Sequence, residues 1–175
     1  MPLPIAHGLL GASIVAAVHP RPGELHFAPL AAGALLANAA DLDFALVFTL
    51  GSKAWHRGFS HSVVFALVVC LGLLASLGRR RIRAALAYGA AYASHGLLDY
   101  VMTKEGGGVA LLWPFSSERL VLGLVGLSEL PSRMALAEIV KSLALECVLF
   151  TPLLLLAVSV RRYVGKGATS ARDAI

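Results

Sequence analysis

Five apolar runs, separated by short polar or charged stretches, dominate the chain. They cover residues 4–18, 28–50, 62–77, 82–102 and 139–160. A helix needs about 20 apolar residues to cross a hydrocarbon core about 30 Å thick. The pattern therefore predicts an all-α integral membrane bundle of four to five transmembrane helices, with five as the working count. The first run is short, so we expect its helix to tilt or to thin the bilayer locally.

Composition supports a membrane protein with a single domain. Hydrophobic residues make up 58% of the 175 residues and charged residues 14%, whereas soluble domains contain about 25% charged residues. We predict one transmembrane helical domain at residues 1–164 and a flexible cytoplasmic tail at 165–175. Cys70 and Cys147 lie in apolar runs without a CxxC pattern, which favours neither a disulfide framework nor a sulfur-based zinc site.

Positive charges lie at the ends of the apolar runs. The net charge is +5, but this placement is typical of membrane orientation, so the expected partner is the lipid bilayer and not nucleic acid. Two clusters should be cytoplasmic: one between the third and fourth helices and one after the fifth. They contain Arg79, Arg80, Arg81 and Arg83, then Arg161, Arg162, Lys166 and Arg172. We therefore expect a multi-pass protein of a bacterial or archaeal inner membrane, with its N-terminus outside and its C-terminus in the cytoplasm.

Polar side chains that are costly to bury are all predicted on the outer side of this topology. They are His7, Asp41, Asp43, His56, His61, His95 and Asp99. At 1.5 Å per helical residue they would occupy a layer extending about 13 Å below the outer surface. Ionisable groups within membrane spans are functional candidates because desolvation disfavours them. One polar site in the outer leaflet is therefore expected.

His95 and Asp99 are the leading metal ligands. Residues at positions i and i+4 of a helix lie on one face, and imidazole with carboxylate suits zinc, with manganese as a second choice. A hydrogen bond between the two side chains is the alternative interpretation. His7 is a further candidate ligand, although a lone histidine in an apolar helix is often a packing residue.

The segment around residues 56–62 should turn both of its histidines towards the same site. Gly58 is expected to allow a tight turn, and Ser60 or Ser62 to cap the third helix. Arg57 has a fork of donors suited to an anionic substrate, or it neutralises Asp41 or Asp43.

The two nearby aspartates would point about 160° apart on a regular α-helix. We therefore expect a break near residues 38–41 that brings Asp41 and Asp43 to one site. If the helix is continuous, one Asp is a ligand or base and the other pairs elsewhere. Glu146 lies deeper in the last apolar run and is a candidate for a supporting role.

Three motifs together resemble the YdjM-like family of predicted membrane-bound metal-dependent hydrolases. They are Asp41-x-Asp43, the string HRGFSHS at 56–62, and His95-x-x-x-Asp99, with Trp-Pro-Phe following at 113–115. The resemblance covers residues 7–115. It implies a metal site formed by Asp41, Asp43, His56, His61, His95 and Asp99. This chain has Asn-Ala-Ala at 38–40, where family members often have Gly and Pro.

A more distant likeness is to the all-helical zinc-dependent phospholipases C, whose ligands occur in the order His, Asp, His, then His-x-x-x-Asp. The same order is formed here by His7, Asp41, His61, His95 and Asp99. This likeness is an analogy of ligand order, and fold-level likeness does not by itself establish chemistry.

These features favour a membrane-bound metal-dependent hydrolase that acts on a phosphoester or lipid-linked substrate at the outer face. In this hypothesis His7, Asp41, His61, His95 and Asp99 bind the metal. Asp43 or His56 is a general base or an extra ligand, and Arg57 holds the anion. Two alternatives are a metal-binding transporter, whose polar residues should continue through the full membrane depth, and a non-catalytic regulatory membrane protein with a structural metal.

Overall fold

The computed structural model describes residues 2–18, 26–104, 107–124 and 136–173, with side chains up to residue 164. Six α-helices occur in these residues: α1 (Pro4–Val18), α2 (Phe27–Asn38), α3 (Phe44–Leu50), α4 (Val63–Leu77), α5 (Ile82–Met102) and α6 (Leu136–Asp173). The only β-type pairing within these described residues is an isolated bridge between Val109 and Leu120. The all-α prediction is confirmed. The side chains of the predicted tail at 165–175 lie outside the described residues.

Two helical stretches are long and apolar enough to cross a membrane. They are Phe27–Leu50 and Leu136–Val164, and a third span results if Lys53–His61 and Val63–Leu77, bent by 55°, are counted together. The helix α1 is apolar but shorter, with 15 residues. The described residues therefore provide two to three candidate spans, and the count of five remains a prediction.

The second apolar run is broken where the sequence predicts a break. Helix α2 ends at Asn38, a 3₁₀ turn covers Ala39–Asp43, and α3 begins at Phe44. A 3₁₀ turn has three residues per turn, so positions 41 and 43 point about 120° apart instead of about 160°. The tighter winding allows both aspartates to face the same side of the bundle.

Helix α1 lies in the interior and contacts α2, α5 and α6. Small residues allow its backbone to approach α2 closely: a Cβ atom on Gly11 would lie 2.5 Å from both the Ala37 Cβ and the Gly33 carbonyl oxygen. Close approach at small residues is a common way for helices to pack within membranes. This packing places His7 of α1 beside the end of α2.

The start of α1 is held by a carboxylate from α6. The buried Glu146 side chain accepts hydrogen bonds from the backbone amides of Leu3 and Ala6, the latter at 3.0 Å. The first amides of a helix have no partner within the helix, and a negative charge is favourable there. Glu146 therefore has a supporting role, one turn from His7.

Candidate metal centre

All eight side chains that the sequence predicts for the site come together at one end of the bundle. His7 comes from α1, the two aspartates from the 3₁₀ turn, and His95 and Asp99 from α5; the segment between α3 and α4 supplies His56, Arg57 and His61. The side chains of His7, His61, His95 and Asp99 are fully buried, while His56 and Asp41 keep 16% and 18% of their side-chain surface exposed. The cluster is therefore buried with one accessible edge.

Polar atoms of five of these side chains face one another at distances typical of neighbouring metal ligands. The Asp41 Oδ1 atom lies 3.3 Å from His95 Nε2 and 3.6 Å from His61 Nε2. The two Asp99 carboxylate oxygens lie 3.6 Å from His7 Nε2 and 3.8 Å from His61 Nε2. Ligand atoms about 2.1 Å from a tetrahedral ion are about 3.4 Å from each other. These four separations are long for hydrogen bonds and match the spacing expected between neighbouring ligands of a cation.

The facing atoms are buried and form no hydrogen bonds of regular geometry within the protein. They are Asp41 Oδ1, both carboxylate oxygens of Asp99, and the Nε2 atoms of His7, His61 and His95; one of them, Asp99 Oδ2, is ion-paired with Arg57 Nε at 3.1 Å. Each buried polar atom without a partner costs about 1–3 kcal/mol, and the whole stability of a domain is about 5–15 kcal/mol. Ligation of a cation by the same atoms would remove that cost.

The other ring nitrogens orient two of the imidazoles towards the centre. His95 Nδ1 donates to the carbonyl oxygen of Ala37 at 2.6 Å. His61 Nδ1 lies 3.0 Å from Ser60 Oγ, which in turn donates to Asp43 at 2.8 Å. Because Nδ1 carries the proton in both rings, each Nε2 presents its lone pair to the centre. Hydrogen bonding of the second nitrogen is the usual way in which proteins orient histidine ligands.

Asp43 is spaced for hydrogen bonding, unlike Asp41 and Asp99. Its carboxylate lies 3.0 Å from His56 Nδ1, accepts from Ser60 Oγ, and accepts from the backbone amide of Arg57 at 3.1 Å. These contacts tie the segment before α4 to the turn after α2. The Nε2 atom of His56 forms no hydrogen bond, so the ring directs this atom away from Asp43.

Arg57 pairs with a different carboxylate from the two that the sequence suggested. Its Nε atom lies 3.1 Å from Asp99 Oδ2, and the side chain is buried. The turn itself also differs from the expectation for Gly58. The residue with a positive φ angle is Arg57, at 58°, whereas Gly58 has a φ of −86°. A non-glycine residue with positive φ costs about 1–3 kcal/mol, and Arg57 is held in this conformation by the contacts of its amide with Asp43 and of its side chain with Asp99.

His7 joins the centre through stacking as well as through Asp99. Its ring is parallel to that of His95, with ring centroids 3.7 Å apart. Among the described residues, two groups could each hold an ion: His7, His95 and Asp99, and Asp41, His56 and His61. The contacts of Asp41 with His95 and of Asp99 with His61 join these groups into one cluster.

Two supports of the cluster have no signal in the sequence. Arg119 donates to the carbonyl oxygens of Ala54, at 2.7 Å, and His56, at 3.1 Å. The main chain of 109–111 also holds this segment, since the Ala110 amide donates to Arg57 and the Leu111 carbonyl accepts from Val63. Backbone carbonyls give no pattern in a sequence, and their position depends on packing between distant segments.

Ser62 and Gly96 explain how the loop joins the helices. Ser62 caps α4 by accepting from the Phe65 amide at 3.1 Å, which confirms one of the two predicted caps. A Cβ atom on Gly96 would lie 2.2 Å from the His61 carbonyl oxygen, so only glycine allows α5 to approach the loop this closely.

Comparison with known proteins identifies the family. The model of the YdjM inner membrane protein family matches residues 1–167. The chain belongs to this family. Inner membrane protein YbcI of Escherichia coli (strain K12) is 41% identical over 123 residues, which cover 67% of this chain and 66% of that protein. The matched stretch thus spans just under two thirds of the curated relative. No solved structure gives a significant match.

Removal of a ligand should abolish metal binding in this YdjM family protein. We expect the purified protein to retain zinc and His95→Ala to lose it, and we expect Ser60→Ala, which removes a partner of His61, to lower the zinc affinity about 10- to 100-fold. Metal content after dialysis against zinc is measured by mass spectrometry. His26→Ala is the matched control because His26 is exposed. Unchanged metal content in His95→Ala would remove this residue from the ligand set.

Proposed function

We propose that the chain is a membrane-bound metal-dependent hydrolase that acts on a phosphoester or another lipid-linked bond at the outer face of the inner membrane. The observation that carries this proposal is the convergence of three imidazole Nε2 atoms on two carboxylates at ligand spacing. The proposed ligands are His7, Asp41, His61, His95 and Asp99. The donor set suits zinc best, with manganese as the alternative.

The accessible edge of the cluster favours catalysis over a purely structural role. Structural metal sites are closed, whereas catalytic sites keep one position open. Asp41 and His56 are the members that retain exposure, at 18% and 16%. This is the side from which a substrate would approach, and Asp41 Oδ1 and His56 Nε2 themselves lie just beneath the surface there.

The arrangement of His56 suits a general base. Asp43 accepts from its Nδ1 at 3.0 Å, the ring stacks on Phe44 with centroids 4.0 Å apart, and Nε2 forms no hydrogen bond. A positioned imidazole with one free nitrogen can take a proton from water and return it to a leaving group. Asp43 acts as a positioning residue in this scheme.

Arg57 contributes positive charge at the centre. Its guanidinium group holds Asp99 through Nε at 3.1 Å, and this group has further planar donors of the kind that bind phosphate oxygens. A divalent ion in the site would supply Lewis-acid stabilisation of the phosphoester and activation of water. Arg57 would add to the charge neutralisation that an anionic substrate needs.

The distribution of buried charge favours a one-sided site over a transport path. Among the described residues, the buried acidic, basic and histidine side chains other than Glu146 all belong to this cluster. A cation path through the membrane should instead present polar residues along its full depth.

Hydrolysis by the metal-loaded full chain tests the function. We expect turnover of a soluble phosphodiester or of lipid phosphates, and His56→Ala should lower it about 100- to 10,000-fold with its metal retained, as expected for loss of a general base. Asp99→Asn should lose both metal and activity, with the exposed Glu118→Gln as its control. Equal turnover by wild type and His56→Ala would contradict the assigned role. Absence of any phosphoester hydrolysis by the metal-loaded protein would contradict the proposed function.

We propose further that the five apolar runs are five spans, with the N-terminus outside and the C-terminus cytoplasmic. The six helices fall on the five predicted runs, with α2 and α3 both in the second run. In this topology nine of the 15 Lys and Arg residues are cytoplasmic, in agreement with the positive-inside rule.

Cysteine labelling tests this topology. In a variant without Cys70 and Cys147, Lys53→Cys should react with an impermeant maleimide in intact cells, because it lies outside. Arg81→Cys should react only after permeabilisation. Both positions are exposed. Labelling of both from the same side would contradict five spans.

A further inference from the structure

An apolar groove of about 390 Å³ lies directly beside the candidate metal centre. Its walls come from the broken second run and from the start of α4, and include Leu42, Leu46, Phe65 and Val69. Its polar end is formed by Asp43 and Ser60, the pair that holds His61. One groove therefore joins an apolar surface to the supports of the ligand set.

The groove lies between two stretches that are candidate membrane spans. The Phe27–Leu50 stretch that forms one wall is a candidate membrane span, and the other wall belongs to the bent pair ending at Leu77. Leu42 lies at the rim with 74% of its surface exposed. What surrounds such a rim within a membrane is hydrocarbon, so lipid chains are the molecules that meet the opening.

Size and charge restrict the occupant further. Ligand pockets are typically about 300–1,000 Å³, and 390 Å³ is near the lower limit, which fits part of one hydrocarbon chain and not two. The charged residue that lines the polar end is Asp43, so an anionic headgroup would have to be held by the proposed cation beyond this end, with Arg57 beside it at Asp99. A lipid with an anionic headgroup would then match both the apolar walls and the cation.

We propose that the groove binds one hydrocarbon chain of a membrane lipid phosphate and places its headgroup at the metal centre. The substrate would then enter sideways from the bilayer and not from the aqueous phase. The identification of the headgroup with the reacting phosphoester rests on the proposed function. The binding of the chain in the groove does not.

Photo-crosslinking tests the binding without any need for turnover. The probe is phosphatidic acid with a diazirine in one acyl chain, added to the metal-loaded full chain in detergent micelles. Crosslinks should map to peptides containing Leu42, Leu46 and Val69. Leu46→Trp and Val69→Trp, which fill the groove from opposite walls, should each reduce this labelling about tenfold.

Leu71→Trp is the matched control, because Leu71 lies on the same helix as Val69 and is 55% exposed. It should leave groove labelling within about twofold of wild type. Metal content confirms that each variant is folded, and either groove variant suffices for the test. Labelling that is insensitive to both groove substitutions, or that falls equally in Leu71→Trp, would overturn the inference.

A second arm separates this inference from the proposed function. If the protein hydrolyses phosphoesters, the groove variants should raise the KM of a long-chain lipid phosphate and leave turnover of a soluble phosphodiester unchanged. Equal effects on both substrates would contradict the groove as a chain site. Specific groove labelling in a protein without hydrolytic activity would instead refute the proposed function and retain the lipid site.

Discussion

Two carboxylates and three imidazoles buried at one point impose the constraint on which the rest of the bundle depends. Asp41, Asp99 and the three Nε2 atoms lie too far apart to satisfy each other by hydrogen bonds, yet they are sequestered from solvent on all but one edge. Burying charge that is only partly neutralised, here by the ion pair of Arg57 with Asp99, is unfavourable. A divalent cation bound by these groups would supply the missing partner, which is why we place a metal at the centre of the proposed function.

Several structural elements near the site bring these five side chains together. The 3₁₀ turn after α2 redirects the two aspartates, and Gly96 allows α5 to reach the loop that carries His61. Glu146 fixes the start of the helix that carries His7. Arg119 holds the loop from its other side. These supports lie on four separate segments, so the site is a property of the whole fold and not of one motif.

The sequence predicted the helices well because their information is local. Apolar runs, the Ser62 cap and the interruption by two aspartates each depend on neighbours within a few residues. The site members could also be predicted, since ionisable residues in apolar runs are costly unless they are used. The sequence could not show that Asp43 lies at hydrogen-bond distance from its neighbours while Asp41 lies at the distance expected between metal ligands. This difference depends on how the turn meets the loop. The pairing of Arg57 with Asp99, and the carbonyl of Ala37 as the partner of His95, depend on contacts between distant segments and had no pattern to reveal them.

X-ray absorption spectroscopy on the zinc-loaded protein tests the central claim most directly. The account predicts a first shell of nitrogen and oxygen only, at about 2.0–2.2 Å, with outer-shell scattering from three imidazoles. The imidazole signal should decrease by one ring in His7→Ala, which distinguishes a ligand from a packing histidine. A shell that contains sulfur, or one with no imidazole scattering, would contradict the account.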